Sequence, residues 1–448
     1  MKRKTDGFIK KLAPTLVGLL LLASCTPALS DAGTAPPADA AATTAAAGTN
    51  STAGEGSSRK VETLATATST IDLNDGDPVV TGSGVDVSDG NVTITVPGVY
   101  AVTGSSNASQ IVVNSPGDGE VTLVLGGTQI HNETTAPILI EEADKVFITL
   151  AEGSENTITD GPSYDFDSAK DDEPSAALFS RDDLTINGSG SLEVIASYND
   201  AITSKDDLVI QSGTIVVRAE DDGLVGRDLV EINGGSISIT AGDDGIKSSN
   251  DKDEERGVVR ITGGDITISA GDDAVKAERR VFVSGGSITV TESYEGIEAE
   301  EITISGGDIN IVAGDDAINV ADSDGSGGGP PQPGLVEESD RALTISGGNI
   351  AVTSGGDGLD ANGSIYMTGG TVVISGPITD FEGAIDYDNV FVMDGGLLVA
   401  AGSARMAQAI SDTSSQAAVA VIYDNVLEAG TEIKLLGGDG TTIAAFTP

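Results

Sequence analysis

The sequence predicts an all-β protein that winds in coils as a parallel β-helix, and three observations support this. A unit of about 22 residues recurs along the chain. Each unit contains two or three short runs in which Val or Ile alternates with small polar residues, which is the period of a strand. Gly-Gly and Gly-Asp-Asp corners separate these runs, and aromatic residues make up only 3% of the chain. A narrow coil interior filled by Val, Ile and Ala has little room for aromatic rings.

The clearest copies of the unit are residues 232–247 and 261–276. In each copy an Ile-x-Gly-Gly turn is followed by an alternating strand and then by Ala-Gly-Asp-Asp. With the second acid of each copy as a marker, the spacings are 22, 22, 29, 22, 21, 41 and 25 residues. The markers are Asp200, Asp222, Asp244, Asp273, Glu295, Asp316, Asp357 and Glu382. Two of the long intervals contain recognisable loops, at residues 248–257 and 321–341.

The same pattern sets the boundaries of the predicted domain. Residues 71–180 are less regular but keep the alternation, so residues 71–400 are predicted to form the β-helix. From about residue 401 the acidic corner disappears and Gln, Ala and Ser become more frequent. Residues 401–448 are therefore predicted to form a C-terminal β cap.

The N-terminal residues predict where the protein is located. Five basic residues precede an apolar run that is too short to span a bilayer, and Leu-Ala-Ser-Cys follows at once. Residues 1–24 resemble a bacterial lipoprotein signal peptide, which implies cleavage before Cys25 and a lipid anchor on its sulfur. The chain would then be extracytoplasmic and attached to a membrane at the cell surface. An ordinary signal peptide with an incidental Cys is the alternative. Residues 25–70, rich in Ala, Thr, Ser and Gly, predict a flexible tether.

The charge and the rare residues exclude several classes of function. With 70 acidic and 23 basic residues, the chain has a formal charge of −47, which disfavours binding to nucleic acid. Removal of residues 1–24 leaves 69 acids and 18 bases, a charge of −51. A single Cys excludes a disulfide framework or a thiolate metal cluster. Any His-dependent catalytic or zinc site would have to use His131, the only histidine.

The acidic corner predicts a column of calcium sites. Equivalent residues of neighbouring coils lie about 4.8 Å apart, so stacked carboxylates repel one another unless they are protonated or share a cation. Calcium binds oxygen at about 2.4 Å and can bridge two coils, whereas magnesium needs a smaller and stricter octahedron. A solvated column of Asp-Gly turns is the alternative. The predicted ligands are Asp200, Asp221, Asp222, Asp243, Asp244, Asp272, Asp273, Glu295, Asp315, Asp316 and Asp357.

A second column lies three residues after the second acid. It reads Thr203, Val225, Lys247, Lys276, Glu298, Asn319 and Asp360, so the two lysines are expected to be neighbours on adjacent coils. One hypothesis is that a lysine with a lowered pKa acts as a Brønsted base or binds a uronate carboxylate. The alternative is that both lysines are counterions of the acids. Arg279, Arg280, Tyr198 and Tyr294 are further candidates for contacts with a ligand.

Several separated motifs resemble the bacterial "carbohydrate-binding domain-containing" β-helix family, from about residue 71 to the C-terminus. They lie at residues 146–153, 156–158, 180–190, 222–228 and 242–248. The resemblance implies a right-handed, single-stranded parallel β-helix that holds calcium in its acidic corners and binds plant cell-wall polysaccharide. By fold the family is similar to the family 9 pectate lyases. That analogy implies calcium at Asp243, Asp244, Asp272 and Asp273, and a base at Lys247 or Lys276.

Three hypotheses about function therefore remain open. The leading one is non-catalytic, calcium-dependent binding of polysaccharide at the cell surface, either acidic glycan such as polygalacturonate or cellulose, by a monomer. The second is a calcium-dependent pectate lyase that acts by β-elimination with Lys247 or Lys276 as the base. The third is a structural surface protein that calcium stiffens.

Overall fold

The protein is a stack of coils with three strands in each regular coil, and the predicted parallel β-helix is confirmed. The computed structural model describes residues 63–166, 168, 172–321, 341–379, 381–423, 425–428 and 430–447, and the backbone of residues 17–22. Cys25 lies outside the described residues. The described part contains strands and two short 3-10 helices, η1 (Leu64–Thr66) and η2 (Asn74–Gly76). None of its helices has the length and apolar character needed to cross a membrane.

The strands of the N-terminal part are β1 (Val17–Leu22), β2 (Ser69–Asp72), β3 (Val79–Thr81), β4 (Val85–Ser88), β5 (Asn91–Ile94), β6 (Gly98–Ser106), β7 (Ile111–Asn114), β8 (Glu120–Asn132), β9 (Ile138–Glu142), β10 (Lys145–Leu150), β11 (Glu155–Asp160), β12 (Ala176–Ser180), β13 (Leu184–Gly188) and β14 (Ser191–Ala196). The strands of the central part are β15 (Asp200–Ser204), β16 (Asp207–Ile210), β17 (Thr214–Ala219), β18 (Leu224–Gly226), β19 (Leu229–Ile232), β20 (Ser236–Thr240), β21 (Ile246–Ser248), β22 (Val258–Ile261), β23 (Asp265–Ser269), β24 (Val275–Ala277), β25 (Arg280–Val283), β26 (Ser287–Glu292), β27 (Ile297–Ala299), β28 (Glu301–Ile304), β29 (Asp308–Ala313) and β30 (Ile318–Val320). The C-terminal strands are β31 (Ala342–Ile345), β32 (Asn349–Ser354), β33 (Asp360–Ala361), β34 (Ser364–Ser375), β35 (Phe391–Ser403), β36 (Ala418–Ile422), β37 (Ile433–Leu436) and β38 (Thr442–Phe446).

The coil strands stack into three parallel ladders. Ladder 1 runs through β10, β13, β16, β19, β22, β25, β28 and β31, and ladder 2 through β11, β14, β17, β20, β23, β26, β29 and β32. The long strands β6, β8, β34 and β35 take part in both, which joins them in one 24-stranded sheet. Ladder 3 is the separate 12-stranded sheet from β4 to β33. Each regular coil passes from ladder 3 to ladder 1, then to ladder 2, and the acidic corner leads into the next ladder 3 strand.

The strand register confirms the length of the repeat. In ladder 3, Ile202 pairs with Leu224, Leu224 with Ile246, Ile246 with Val275 and Val275 with Ile297, which gives intervals of 22, 22, 29 and 22 residues. The extra residues of the longer coils follow ladder 3 strands β21 and β30 and precede ladder 1 strands β22 and β31. Both insertions therefore fall between a ladder 3 strand and the next ladder 1 strand, which is not the acidic corner.

The interior of the solenoid is a set of stacked aliphatic columns. In ladder 2, Ile239, Ile268, Val290, Ile311, Val352 and Ile374 lie above one another in register. All six are at most 3% exposed and belong to one continuous core. The outward-facing residues between them are Ser, Thr and Asn as well as aliphatic residues. This alternation keeps one face of each strand dry and leaves the other face free to carry polar groups.

The Gly-Gly corner joins ladder 1 to ladder 2, and its second glycine has a conformation that other residues avoid. This residue has φ of +98° at both Gly235 and Gly264. A positive φ in this range places a side chain against the backbone, whereas glycine adopts it without strain. The repeated Gly-Gly therefore turns the chain at the same point of successive coils.

The two ends of the solenoid depart from parallel pairing. At the N-terminal end, β2 pairs antiparallel with β3, and β4 with β5. Strand β1 falls within the predicted signal peptide and pairs antiparallel with β35 and β36. Near the C-terminus β37 and β38 form an antiparallel pair. Apolar residues of this pair pack on β35 in a second cluster of Val399, Ala401, Ile433, Ala444 and Phe446.

Truncation of one interior side chain is expected to destabilise the stack far more than truncation of its outward neighbour. Ile268 is fully buried and Thr267 of the same strand is exposed. Ile268→Ala should lower the free energy of unfolding by about 2–5 kcal/mol, because a cavity replaces the removed atoms. Thr267→Ala is the matched control and should change it by no more than about 0.5 kcal/mol. Urea unfolding followed by circular dichroism measures both, and equal losses would contradict this assignment of the interior.

Candidate functional site

The acidic residues form one continuous column at the corner that joins ladder 2 to ladder 3. The ladder 3 register places seven acids in adjacent coils, namely Asp200, Asp222, Asp244, Asp273, Glu295, Asp316 and Asp357. Leu359 pairs with Ile385, so the residue of the following coil that is in register with Asp357 is Gly383, not Glu382. The marker Glu382 is therefore wrong by one residue, because the last interval contains irregular chain whose spacing does not follow the repeat.

Carboxylates of this column accept hydrogen bonds from the following coil. The backbone N–H of Asp244 donates to Oδ1 of Asp222, and the N–H of Asp273 donates to Oδ1 of Asp244, both at 3.0 Å. The N–H of Gly383 donates in the same way to Oδ1 of Asp357 at 2.5 Å. One oxygen of each carboxylate thus holds the coils together, and the second oxygen, Oδ2, is left for another partner.

Most members of the column are buried. Asp244 and Asp273 are each only 1% exposed, while the first acids of the same corners, Asp243 and Asp272, are partly exposed. A charged carboxylate in such a position is stable only when it is paired or hydrogen-bonded, or when it takes up a proton. The corner therefore combines a buried row of carboxylates with an outer row that solvent reaches.

Five groups of three carboxylates each place one oxygen per residue within 4.8 Å of the other two. The groups are Asp200–Asp221–Asp222, Asp222–Asp243–Asp244, Asp244–Asp272–Asp273, Asp273–Glu295–Glu298 and Asp316–Asp357–Asp360. All the candidate ligands predicted from the sequence lie in these groups except Asp315. Glu298 and Asp360 join them from the column three residues further on, and neither of them is among the ligands predicted from the sequence.

The predicted pair of lysines is present, and both are bound to the acids. Lys247 and Lys276 are register neighbours on β21 and β24. Nζ of Lys247 lies 2.7 Å from Oδ2 of Asp244 and 3.0 Å from Oδ2 of Asp222. Nζ of Lys276 lies 2.6 Å from Oδ2 of Asp273 and 3.4 Å from Oε1 of Glu298. The lysines therefore occupy carboxylate oxygens that a metal ion would use.

The lysine pKa values in this arrangement are raised, which is the opposite of the lowered pKa in the hypothesis of a Brønsted base. Burial by itself would lower the pKa of Lys247, but the charges and hydrogen bonds of Asp244 and Asp222 outweigh burial and raise the pKa. The pKa of Lys276 is likewise raised, because Asp273 and its neighbours outweigh the effect of burial. Both ammonium groups are thereby held in their charged form.

Burial shifts the pKa of several carboxyls upward. Burial, with the charge of Asp222 adding to it, raises the pKa of Asp200 to about 7. Burial followed by the charges of Asp316 and Asp357 raises the pKa of Asp360 to about 8. The pKa of Glu295 is also raised, first by burial and then by its hydrogen bond with Glu298. Each of these shifts favours the protonated form of the carboxyl.

The group at Asp316, Asp357 and Asp360 differs from the others in its surroundings. Among the described residues, no Lys or Arg forms an ion pair with any of the three. Asn319, which is 7% exposed, lies on the strand before Asp360 and in register with it. Its Nδ2 donates to Oε2 of Glu295 at 2.8 Å, in the preceding coil. Its Oδ1 is buried without a hydrogen-bond partner.

The remaining ligand candidates lie in two different places. Arg279 and Arg280 follow β24 at the corner between ladder 3 and ladder 1, and they pair there with Glu300 at 2.7 Å and Glu255 at 3.7 Å. The structure therefore does not bring these arginines to the acidic corner, because a whole ladder 3 strand separates the two corners.

Both tyrosines lie at the acidic corner. Tyr294 is 52% exposed and occupies the position that Asp272 and Asp315 hold in the neighbouring coils. Its hydrogen bond to Asp315 is the main cause that raises its pKa to about 12. Tyr198 stacks on Tyr164, with ring centroids 4.2 Å apart and planes at 20°. Each tyrosine therefore already has a partner within the protein.

Comparison with known proteins identifies the family of this chain. Residues 88–330, more than half of the chain, match the family of carbohydrate-binding domain-containing proteins. The chain belongs to this family. The resemblance predicted from the corner motifs is thus confirmed, over a shorter range than the one expected from residue 71 to the C-terminus.

Two relatives of this family member share part of its length. A carbohydrate-binding domain-containing protein of Acetivibrio thermocellus (strain ATCC 27405) is 44% identical over 123 residues, which are 28% of this chain and 43% of that protein. The chain therefore matches less than half the length of this relative. The solved structure of the polysaccharide lyase-like protein from C. thermocellum, a gadolinium derivative, is 42% identical and covers 50% of this chain and 90% of its own, with a TM-score of 0.49.

The carboxyl pKa values predict how the stability of the protein without metal depends on pH. The pKa of Asp360 is about 8 in the folded chain and about 3.9 in an unfolded one. Between these values the folded state binds more protons, so this contribution to stability is present below about pH 4 and is lost as the pH rises through 8. In chelator, the thermal midpoint should therefore fall between about pH 4.5 and pH 8.

Asp360→Asn removes this titration and should reduce the fall. Asp265 is exposed on β23, so Asp265→Asn is a control that makes the same change of charge away from the column. A thermal midpoint in chelator that rises with pH, or equal behaviour of the two variants, would contradict the assignment.

Proposed function

We propose that the protein is a non-catalytic, calcium-dependent binder of polysaccharide, with acidic glycan such as polygalacturonate as the first candidate and cellulose as the second. The observation that carries the proposal is the row of five carboxylate triplets along one corner. Membership of the carbohydrate-binding family supports a polysaccharide as the partner.

The donor set fits calcium. Its ligands are carboxylate oxygens, and calcium binds such oxygens at 2.3–2.6 Å, so two oxygens on one ion are at most about 5 Å apart. The oxygens of each triplet lie within 4.8 Å of one another. Magnesium would require separations of no more than about 4.2 Å in a strict octahedron. Calcium accepts six to eight ligands, so water and sugar oxygens can complete the shell beside three carboxylates.

The triplets are not equivalent for a cation. Lys247 already neutralises Asp222 and Asp244, and Lys276 neutralises Asp273, so an ion there competes with an ammonium group. The group at Asp316, Asp357 and Asp360 has no such competitor among the described residues. The unpartnered Oδ1 of Asn319, whose amide nitrogen points back to the preceding coil, offers a neutral oxygen on the side of Asp360. We therefore expect this group to bind calcium most tightly.

Calcium would also reconcile an acidic protein with an acidic glycan. A chain of formal charge −47 repels a polyuronate, and repulsion of this kind is strongest where water is displaced. Divalent ions held by the outer acids, such as Asp221 and Asp243, place positive charge on the surface where a uronate carboxylate can share it. Neutral cellulose does not need this bridge. Dependence of binding on calcium is therefore expected for polygalacturonate and not for cellulose.

The charged form of the two lysines favours a binding function over a catalytic one. A Brønsted base for β-elimination must be neutral, and both ammonium groups are held in charged form by carboxylates at 2.6–3.0 Å. The structural alternative is supported by a different observation, the N–H bonds that the column accepts from coil to coil. Under that alternative, chelation would destabilise the protein and no glycan would bind.

Substitution within the preferred triplet is expected to reduce the bound calcium. Asp316→Asn with Asp357→Asn removes two of the three anionic ligands, so elemental analysis after gel filtration should find at least one fewer calcium ion per chain. Asp265→Asn, an exposed acid outside the triplets, is the control. Chelation should also lower the thermal midpoint of the unmodified protein, because an ion that binds only the folded state stabilises it by about 2.7 kcal/mol at 100 times its Kd. Unchanged stoichiometry in the double variant would refute the assignment.

Affinity electrophoresis through polygalacturonate, methyl-esterified pectin and cellulose tests the proposal as a whole. Retardation by polygalacturonate in calcium and its loss in chelator are expected. A parallel assay of ultraviolet absorbance for unsaturated oligogalacturonides should stay silent. Product release would establish the lyase, and the absence of retardation in every gel, with a chelator-dependent thermal midpoint, would establish the structural alternative.

A further inference from the structure

A shallow groove lies on the outer face of ladder 3, beside the N-terminal end of the acid column. Its cavity measures about 210 Å³ and opens to solvent. The floor is formed by Thr203 of β15 and Val225 of β18, which are register neighbours. In the column that carries the lysines, they occupy the two positions before Lys247. Their small neutral side chains leave space where the next coils carry Lys247 and Lys276.

The groove is closed at both ends along the solenoid axis. The register neighbour of Thr203 on its N-terminal side is Phe179, which is fully buried in a separate apolar cluster that also contains Tyr164. On the C-terminal side, Lys247 rises from the position after Val225 and forms one wall. The accessible floor is therefore two coils wide, which gives a molecule that lies in it a defined position.

The two banks of the groove carry opposite charges. One bank is the triplet Asp200, Asp221 and Asp222, and the other is formed by Lys205 and Arg227, which occupy the same place in adjacent coils. Lys205 is already paired, since its Nζ lies 2.8 Å from Oε1 of Glu173. The charge of Arg227 interacts electrostatically with Asp206, but the two side chains form no ion pair.

Arg227 is therefore a partly buried residue whose guanidinium has no ion pair among the described residues. Its backbone is fixed by a hydrogen bond from its N–H to the carbonyl of Ser204 at 2.9 Å. Its carbonyl accepts a further hydrogen bond from Oγ of Ser248. In a chain with three times as many acids as bases, an unpaired arginine over a neutral floor is an available site for an anion.

The shape of the groove restricts the ligand. Sites that enclose a small molecule have volumes of about 300–1,000 Å³, and this one is smaller and open. It suits one unit of a longer chain that continues over the surface on both sides. A guanidinium binds a carboxylate through two parallel hydrogen bonds, which neither a neutral hexose nor a methyl ester can accept in the same way.

We propose that this groove is a subsite for one uronic acid residue of a polysaccharide, in which Arg227 binds the sugar carboxylate and thereby selects acidic over neutral glycan. The inference rests on the proposed function, because it assumes that the protein binds polysaccharide. It adds the substrate class and the residue that recognises it. The acids of the opposite bank contact the ring side of the same sugar through its hydroxyls or through a shared cation.

Arg227→Gln tests the subsite with polygalacturonate as the probe. The variant keeps a polar side chain, although a shorter one, and loses the bidentate charged donor, so binding in calcium should weaken about tenfold or more. Retardation by cellulose should not change. Arg218→Gln is the matched control, because Arg218 lies one coil earlier on the outer face of ladder 2 and pairs there with Glu193. It should bind polygalacturonate as the unmodified protein does.

A second pair of variants tests the groove by volume without changing the charge. Val225→Tyr fills the floor and should also weaken polygalacturonate binding about tenfold or more, whereas Val216→Tyr, on the outer face of ladder 2, should not. Circular dichroism tests whether each variant is folded. If Val225→Tyr is not folded, Arg227→Gln alone decides the question. Unchanged binding by Arg227→Gln would overturn the subsite and leave the proposed function intact. Failure of the unmodified protein to bind any glycan would overturn both.

Discussion

The in-register stacking of parallel coils is the constraint on which the rest of this structure depends. Backbone hydrogen bonds fix each strand about 4.8 Å above its equivalent, so any residue type that recurs with the repeat is brought next to its copies. For aliphatic residues the result is a continuous core, as in the column of ladder 2. For acids the result is a row of carboxylates that burial and mutual repulsion would disrupt without compensation. The site is therefore a direct outcome of the repeat.

Compensation for this repulsion takes three forms in the described structure. Their distribution explains why the carboxylate groups along the column differ from one another. Backbone N–H groups of following coils satisfy one oxygen of Asp222, Asp244 and Asp357. Lysines satisfy a second oxygen in the middle coils. At the C-terminal end, where no lysine among the described residues pairs with the acids, burial and neighbouring charges raise the pKa of Asp360 to about 8, which favours its protonated form. A divalent ion would act through the same oxygens as the lysines and the protons. The column is consequently a series of related but unequal sites.

Much of this could be predicted from the sequence because it depends on periodicity. The coil length, the acid column and the adjacency of Lys247 and Lys276 all follow from counting residues between Gly-Asp-Asp corners, and the register confirms them. The predictions that failed depend on geometry within a coil, which the repeat length does not specify. Arg279 and Arg280 are close to Lys276 in sequence, but a strand carries them to another corner. Glu298 and Asp360 join the acids because alternate residues of ladder 3 face outward beside them, which spacing along one column does not reveal. Of the two alternatives for the lysines, the lowered pKa is not found, because the attraction of the buried acids exceeds the effect of burial and raises the pKa of Lys247.

The hydrogen bonds of the acid column also have a direction, and this bears on how such a protein can change in length. Each carboxylate that accepts an N–H receives it from the coil that follows, and that coil brings a carboxylate of its own. A duplicated coil would therefore supply the donor that its predecessor needs and present a new acceptor to its successor. Gene duplication could lengthen the column by whole coils with every inner bond intact, and each added coil would bring one more carboxylate triplet. The reach of the surface along a polymer is thus adjustable in steps of one coil, without a redesign of the fold.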